Sequence, residues 1–419
     1  MLFSLVSLVR IGPGDKESVF FVDGSDQEMP FAAAVSDKSN LKVAIQETTQ
    51  VIADELGCVP DLTLVFVTHH HASEFATLAA TVRERLGGGL VLGCTGETVI
   101  GGAREHEDGP AISLLSGVLS GADLLPFQLE FENTPDGVMC GGLPDDLTSA
   151  TSETRAVLLL GEPFSSVPQS VLDLLADELP DIPVVGGMAS GGNPGENRLF
   201  LNDREIDRGA IGVVIRGGPR IRTVVSQGCR PIGAPFVVTK AERNVVYEMG
   251  GSSPMQRLQE LYHMLPPRDQ KLVEGGVHIG IALNEYQETF HRGDFLILNV
   301  MGVDKKSGAL KAGGTIRVGQ TVQFQIRDGE TADADLKRLL ERHLSESPRL
   351  PAAGLLFSCN GRGTRMFSQP NHDASLIQAQ LGPMPLVGIF AQGELGPVGG
   401  KNYIHGFTAS LALFEEEMA

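Results

Sequence analysis

The residue types best suited to chemistry gather in the last sixty-odd positions of the chain. "FSCNGRG" (Phe357 to Gly363) sets Cys359, Asn360 and Arg362 within four positions, "GIFAQGELGP" (Gly388 to Pro397) carries Glu394, and "NYIHGFT" carries His405. A thiol beside an arginine can be activated as a nucleophile. The planar guanidinium of Arg362 matches a carboxylate, and one glutamate in a pocket can hold an ammonium. Arg362 on a carboxylate and Glu394 on an ammonium would together make an amino-acid site, with Cys359, Asn360, His405 and the Glu97 of "GCTGE" as further ligand-binding candidates. The competing reading is a hydrolase-like or thiol-dependent enzyme using Cys359 or Glu394. No histidine or acid stands in recognisable order around the cysteine, so no catalytic residue is assigned. His405 has two readings, a hydrogen-bonded core histidine or a contact to a ligand or haem. The run His69 to His71 invites a metal site, but consecutive strand residues face opposite ways and adjacent side chains rarely chelate one ion, so none is assigned. The glycine clusters lack a phosphate-binding spacing and read as tight turns.

The elements that must position these residues repeat along the chain. Leu64 to Glu97 aligns without a gap on Val157 to Ser190, with Gly93 on Gly186 and Leu86 on Leu179. Each copy opens with a continuous apolar run, the pattern of a strand buried on both faces. A helix follows, with Leu78, Val82 and Leu86 on one face in the first copy and Val171, Leu175 and Leu179 in the second. Ser165, Ser166 and Pro168 are suited to start the second helix, and Ser73 the first. A second strand runs into small residues, then a hairpin. A third version runs through "AGLLFSCNGRG", "HDASLIQAQLG" and "PLVGIFAQGE", which puts Glu97 and Glu394 at comparable corners and His405 on the final core strand. Between the second and third versions, β-branched runs form a meander. A helix begins at Pro254, capped by Ser252 or Ser253, with Met255, Leu258, Leu261 and Leu265 inward, and another spans Ala332 to Leu344.

The fold class expected is therefore α/β (α+β mixed): repeated β-α-β-hairpin units in mixed sheets with helices packed outside, αββα layering being one such arrangement. Two domains are expected, 29–224 with the duplicated unit and 225–419, preceded by an extension at 1–28. Length and composition agree, since 419 residues, 42% hydrophobic and 20% charged, describe a globular chain of more than one domain. A net charge of −19 repels phosphate backbones and argues against nucleic acid. Five cysteines without a C-x-x-C pair read as reduced thiols. The N-terminal "MLFSLVSLVRIG" lacks a basic n-region and a cleavage site, and no apolar run reaches the roughly 18 residues of a membrane span. A cytoplasmic location without membrane insertion is the expectation.

Several of these motifs resemble one family. "MPFAAAVSDKSNLKVAIQETTQVIADELG", "LVLGCTGE" and "VVGGMASGG" look like the N-terminal FIST domain, and "QGCRPIGAPFVVTKAERNVVYEMGG", "FSCNGRG" and "GIFAQGELGPVGGKNYIHGFT" like the C-terminal one, over roughly Met29 to Phe414. The resemblance implies a sensory, small-ligand-binding module, with amino acids or related small acids as ligands and a downstream signalling protein as partner. Some bacterial members are similar to haem-based nitric oxide sensors, so haem is the one cofactor the resemblance raises.

Overall fold

The computed structural model describes residues 30–135, 137–145, 147, 153–347 and 349–416, so the extension at 1–28 lies outside the described residues. Three copies of one unit organise the chain. In the first, an entry strand (Leu62–Thr68), a helix (Phe75–Arg85) and an exit strand (Leu90–Gly96) precede a hairpin (Val99–Gly101, Arg104–His106) and a closing strand (Ile112–Gly117). The second repeats this with Thr154–Gly161, Pro168–Glu178, Val184–Met188, Leu199–Leu201, Arg204–Ile206 and Ala210–Gly217. The third uses Ala353–Cys359, His372–Leu381, Leu386–Ala391, Glu394–Val398, Lys401–His405 and Ala409–Glu415. Entry and exit strands are parallel, which requires the crossover helix between them. The closing strand returns antiparallel to the entry strand, and a leading strand (Phe31–Ser36, Ala122–Thr134 or Arg220–Ser226) lies beyond it.

One glycine position recurs in all three exit strands. Gly93, Gly186 and Gly388 stand opposite Val65, Leu159 and Leu356 of their entry strands. A Cβ at any of the three would collide with the carbonyl oxygen of that opposite residue, so only glycine permits the close strand approach. This register also corrects the gapless alignment: the second unit has one residue fewer than the first between these paired positions. Thr68, Glu162 and Cys359, each three residues past the paired entry position, are therefore the equivalent corner residues.

Each hairpin leaves its own unit. The second unit's hairpin pairs with the first unit's exit strand, the third unit's with the second's, and the first unit's with the third's. The exchange closes a ring, and the corners are tied by backbone bonds: Ser190 N–H to Thr95 O (3.1 Å), Met188 N–H to Gly393 O (2.8 Å) and Phe390 N–H to Thr98 O (3.0 Å). The inner faces of all three sheets share one apolar core, in which Phe66 meets Phe357 edge to face at 6.1 Å. Outside, each sheet packs against its own helices. The mixed sheets with helices outside are as expected, with three sheets rather than two around the core.

The third unit carries an insertion between its leading strand and the helix Gly329–Glu346. Its strands run in the order Thr321–Arg327, Phe236–Glu242, Val245–Met249, Leu310–Ala312, Phe295–Val303 and His278–Ala282, and the last pairs back onto the first, closing a barrel. Val238, Val246, Ile279, Ile281 and Phe324 fill its interior. Local expectations fare unevenly. Ser253 does cap the helix Pro254–Met264, accepting from the Gln256 amide, yet Met255 is exposed rather than inward. Ser165 and Ser166 cap no helix; their hydroxyls bond to Glu162, and the first-copy helix starts at Phe75 without a side-chain cap. The helix Gly329–Glu346 is longer than expected because Asp328 caps it through the Thr331 amide at 2.7 Å.

Candidate functional site

The third corner gathers most of the residues singled out in the sequence, but gives them other work. Arg362 is fully buried and its guanidinium closes on Asp373, Nε to Oδ2 at 2.7 Å and Nη2 to Oδ1 at 2.8 Å. Burial alone would raise the Asp373 carboxyl, but the Arg362 charge overrides it and holds it well below the usual range. The remaining Nη1 reaches the Phe407 carbonyl at 3.4 Å. The edge expected to meet a ligand carboxylate is thus taken from within. Glu105, from the first unit's hairpin, accepts from the Ala374 amide at 3.0 Å, and burial with the Asp373 charge pushes it up to about 7.

Glu394 is also fully buried. It stands opposite Gly187, one residue past the recurrent glycine, where the other sheets place Val99 and Leu199. Its equivalents are therefore apolar core residues, and Glu97 is not one of them. Glu394 Oε2 accepts from the Thr408 amide at 3.0 Å, while Oε1 has no partner of good geometry. Burial pushes its carboxyl up to about 8, the Thr408 amide and the nearby Cys359 thiol only partly opposing that. At neutral pH it is mostly uncharged, which removes the expected counter-charge for a ligand ammonium. Burial and Glu394 push the Cys359 thiol up to about 12, so a nucleophilic thiolate is disfavoured.

The other candidates divide. Asn360 has a buried Oδ1 without a partner, and its carbonyl accepts from Arg365 at 2.7 Å. Glu97 pairs with the same Arg365, so it borders this corner but does not face Glu394. His405 lies on the second hairpin strand, not on the final core strand, and its Nε2 donates to Gly396 O at 2.9 Å. Burial pushes it down to about 4, which keeps it neutral.

A second set of polar groups, which the sequence reading passed over, lines the outer wall of the barrel where it meets the third unit. In Thr321–Arg327 the apolar Val322, Phe324 and Ile326 point inward, so Gln323, Gln325 and Arg327 point outward. His278 stands opposite Gln325, and Cys229 opposite Arg327. His278 Nδ1, Gln325 Nε2 and Arg327 Nη1 are all buried without hydrogen-bond partners. The Phe407 ring covers this end, 3.7 Å from the Arg327 guanidinium and 5.0 Å from the His278 ring. Period-two alternation in "TVQFQIR" was the available signal.

This wall borders a cavity of about 470 Å³ between the barrel, the leading strand Arg220–Ser226, the helix Gly329–Glu346 and the hairpin tip at Pro397 to Gly399. Gln325 and Cys229 lie on the barrel side, with Arg292, Arg338 and Arg342 among the other lining residues. Asp335 is spent internally, accepting from Ser226 Oγ at 2.8 Å and Arg338 Nη2 at 2.9 Å. Arg292 has neither ion pair nor hydrogen bond among the described residues. Gln227 fastens the connection into the barrel, donating to Phe295 O at 2.7 Å and accepting from the Ile297 amide at 3.0 Å. No histidine, methionine or tyrosine lines the cavity, and burial pushes the thiol of its one cysteine, Cys229, up to about 12, which disfavours a thiolate ligand; these residues are a poor fit for an axially ligated haem. Among the described residues no cluster of three or more His, Cys, Asp or Glu is placed to hold a metal.

Comparison with known proteins agrees with the architecture. The FIST N domain profile matches residues 61–252 and the FIST C domain profile residues 255–397. The chain is 39% identical over 388 residues to the uncharacterized protein MT0656 of Mycobacterium tuberculosis, covering 92% of this chain and all of that protein. It is 37% identical over 392 residues to the uncharacterized protein Mb0898c of Mycobacterium bovis, covering 93% of this chain and all of the relative. Among the described residues no helix is long and apolar enough to cross a membrane.

Proposed function

The chain belongs to the FIST family of sensory domains, and from that premise we propose that it is a small-molecule-binding signal-transduction module whose ligand, an amino acid or related small acid, occupies the cavity between barrel and core. The observation that carries this reading is Gln325: a side chain 1% exposed, lining the cavity, with an amide nitrogen that nothing in the protein satisfies. Such a donor is costly to leave unmet. The unpaired Arg292 on the same cavity supplies an attraction for acids. The chain enters the barrel near Gln227 and leaves it near Asp328, so a ligand bridging the seam would bias how barrel and core pack and pass its presence to a partner protein.

Thermal melting against a panel of amino acids and small acids tests the reading. A ligand at 100 times its Kd stabilises the fold by about 2.7 kcal/mol, and Arg292→Ala is expected to abolish the shift without altering the unliganded melt. A panel that leaves the melt unmoved, or a shift that survives in both Arg292→Ala and Gln325→Leu, removes the cavity as the ligand site.

A further inference from the structure

We propose that the outer wall of the barrel, on the side away from the cavity, is a docking surface for an acidic, partly apolar segment of a partner protein. The chain distributes its charge unevenly. Residues 227–328, the barrel with its two helices, carry twelve Lys and Arg against ten Asp and Glu, so the net charge of −19 arises entirely outside them. Within this segment the cations without partners share one wall. Lys240 and Lys311 are exposed on Phe236–Glu242 and Leu310–Ala312. Arg243 lies in the turn after the first of these strands, and the Ile316 amide, bonded to Arg243 O at 3.0 Å, brings Arg317 beside it. Lys305 and Lys306 occupy the turn before Leu310–Ala312. None of the six has a carboxylate in ion-pair reach among the described residues, whereas Arg230, Arg257 and Arg268 of the same segment each do.

The acids on this wall are fewer and partly engaged. Glu248 accepts from Thr239 Oγ1 at 2.8 Å, and Asp304 accepts from the Ser307 amide at 3.0 Å, which leaves Glu242 without a bond of its own. The wall also exposes apolar surface: Tyr247 and Met301 are 36% and 65% exposed, and Val237 is 49% exposed. The Lys240 ammonium sits 5.7 Å from the centre of the Tyr247 ring, so charge and apolar surface are interleaved. Around the barrel, Leu310–Ala312 and Val245–Met249 stand across from Thr321–Arg327 and His278–Ala282, the strands that face the third unit. The wall is therefore turned away from the core, and its role does not depend on what the cavity holds.

Charge selects among occupants. A nucleic acid would bring dense phosphate to a chain of net charge −19 and would leave Met301 and Val237 wet. A second copy carries the same −19 and is repelled before contact. An acidic segment with apolar residues between its carboxylates offers counter-charges to the six cations and covers Tyr247 and Met301, at a small total charge of its own.

Fluorescence anisotropy with the full chain at low salt tests the wall, using labelled probes of equal length: a peptide of Glu-Glu-Leu repeats, the same peptide with Ser for Leu, and oligo-dT. The Leu peptide is expected to bind most tightly and to weaken as salt is raised. Lys240→Glu combined with Lys311→Glu should weaken it about tenfold or more, while the same charge change outside the barrel, Lys42→Glu with Arg208→Glu, should weaken it less than about twofold. Tyr247→Ser with Met301→Ser should bring the Leu peptide down to the level of the Ser peptide. Melting curves matching wild type confirm that each variant is folded. No binding of the Leu peptide, or equal losses from the two charge reversals, overturns the proposal. So does tighter binding of oligo-dT, which assigns the wall to nucleic acid, or a dimer in sedimentation that the wall reversal dissolves, which assigns it to a second copy.

Discussion

Two buried carboxyl groups, Glu162 at the end of the second entry strand and Glu394 at the start of the third hairpin, are treated in opposite ways by their surroundings. Glu162 is 1% exposed, yet its Oε2 accepts from the Phe164 amide at 3.0 Å and Ser165 Oγ at 2.6 Å, and its Oε1 faces Asn197 Nδ2 at 3.3 Å. Glu394 is equally buried but receives a single bond, from Thr408. Depth therefore does not separate the two; the number of donors does. Glu162 is a structural corner that organises its own turn. Glu394 is a carboxyl set into a core position where its two symmetry equivalents are valine and leucine.

The largest expected effect lies beside Glu394. Asp373→Ala would leave the Arg362 guanidinium buried and unpaired, and removing one partner of a buried pair costs about 3–5 kcal/mol. Urea denaturation measures this directly. A loss below about 1 kcal/mol would mean that Arg362 finds another acceptor, Glu105 being the nearest acid by its electrostatic influence.

The comparison itself is tested by making the same change at both corners. Glu162→Leu strands three donors and is expected to cost about 2–3 kcal/mol. Glu394→Leu strands only the Thr408 amide and restores the apolar character of Val99 and Leu199, so at about pH 4, where the carboxyl is largely uncharged folded or unfolded, the net change should stay within about 1 kcal/mol. The pH dependence sharpens the contrast. Because Glu394 is raised to about 8 in the fold, against roughly 4.3 in an unfolded chain, its contribution is fully present below the unfolded value and is lost as pH rises through the folded one. Wild-type stability should therefore fall between about pH 5 and pH 8, and Glu394→Leu should flatten much of that decline. A residual slope ending near 7 belongs to Glu105. Equal losses at the two corners, or an unchanged pH profile, would break the distinction.

What the sequence disclosed follows from the range of the interactions. The repeated strand-helix-strand was legible because buried parallel strands and an amphipathic helix write local patterns, and Gly93 and Gly186 mark a steric demand within each unit. The hairpin exchange was not legible, since nothing in "TVIGGAREHE" states which sheet edge it will join. That exchange sets Glu394 opposite Gly187 of another unit, and so aligns it with Val99 and Leu199 rather than with Glu97. The motif "FSCNGRG" correctly drew attention to Arg362, but its partner Asp373 sits on the following helix, in a motif read only as the helix of the third unit. The outward face of the barrel strand was written in "TVQFQIR". It needed the closed barrel to show that a polar face would be buried rather than wet.

The smallest expected effect concerns the glutamate that was first grouped with Glu394. Glu97 and Arg365 form their ion pair with side chains 32% and 58% exposed. Water and salt screen such a pair, and its worth is about 0–1 kcal/mol. Arg365 also keeps its bond to Asn360 O when Glu97 is removed, so the turn remains held. Glu97→Ala should accordingly shift stability by less than about 1 kcal/mol, with the difference shrinking further when the denaturation is repeated at high salt. A cost rivalling Glu162→Leu would instead place Glu97 in the same class as the buried corners. Its backbone amide, donated to Ser190 Oγ at 2.8 Å, would not explain that, because the substitution leaves it in place. The carboxylate would then have to act on the ring of exchanged hairpins through Arg365, the only side chain it bonds among the described residues.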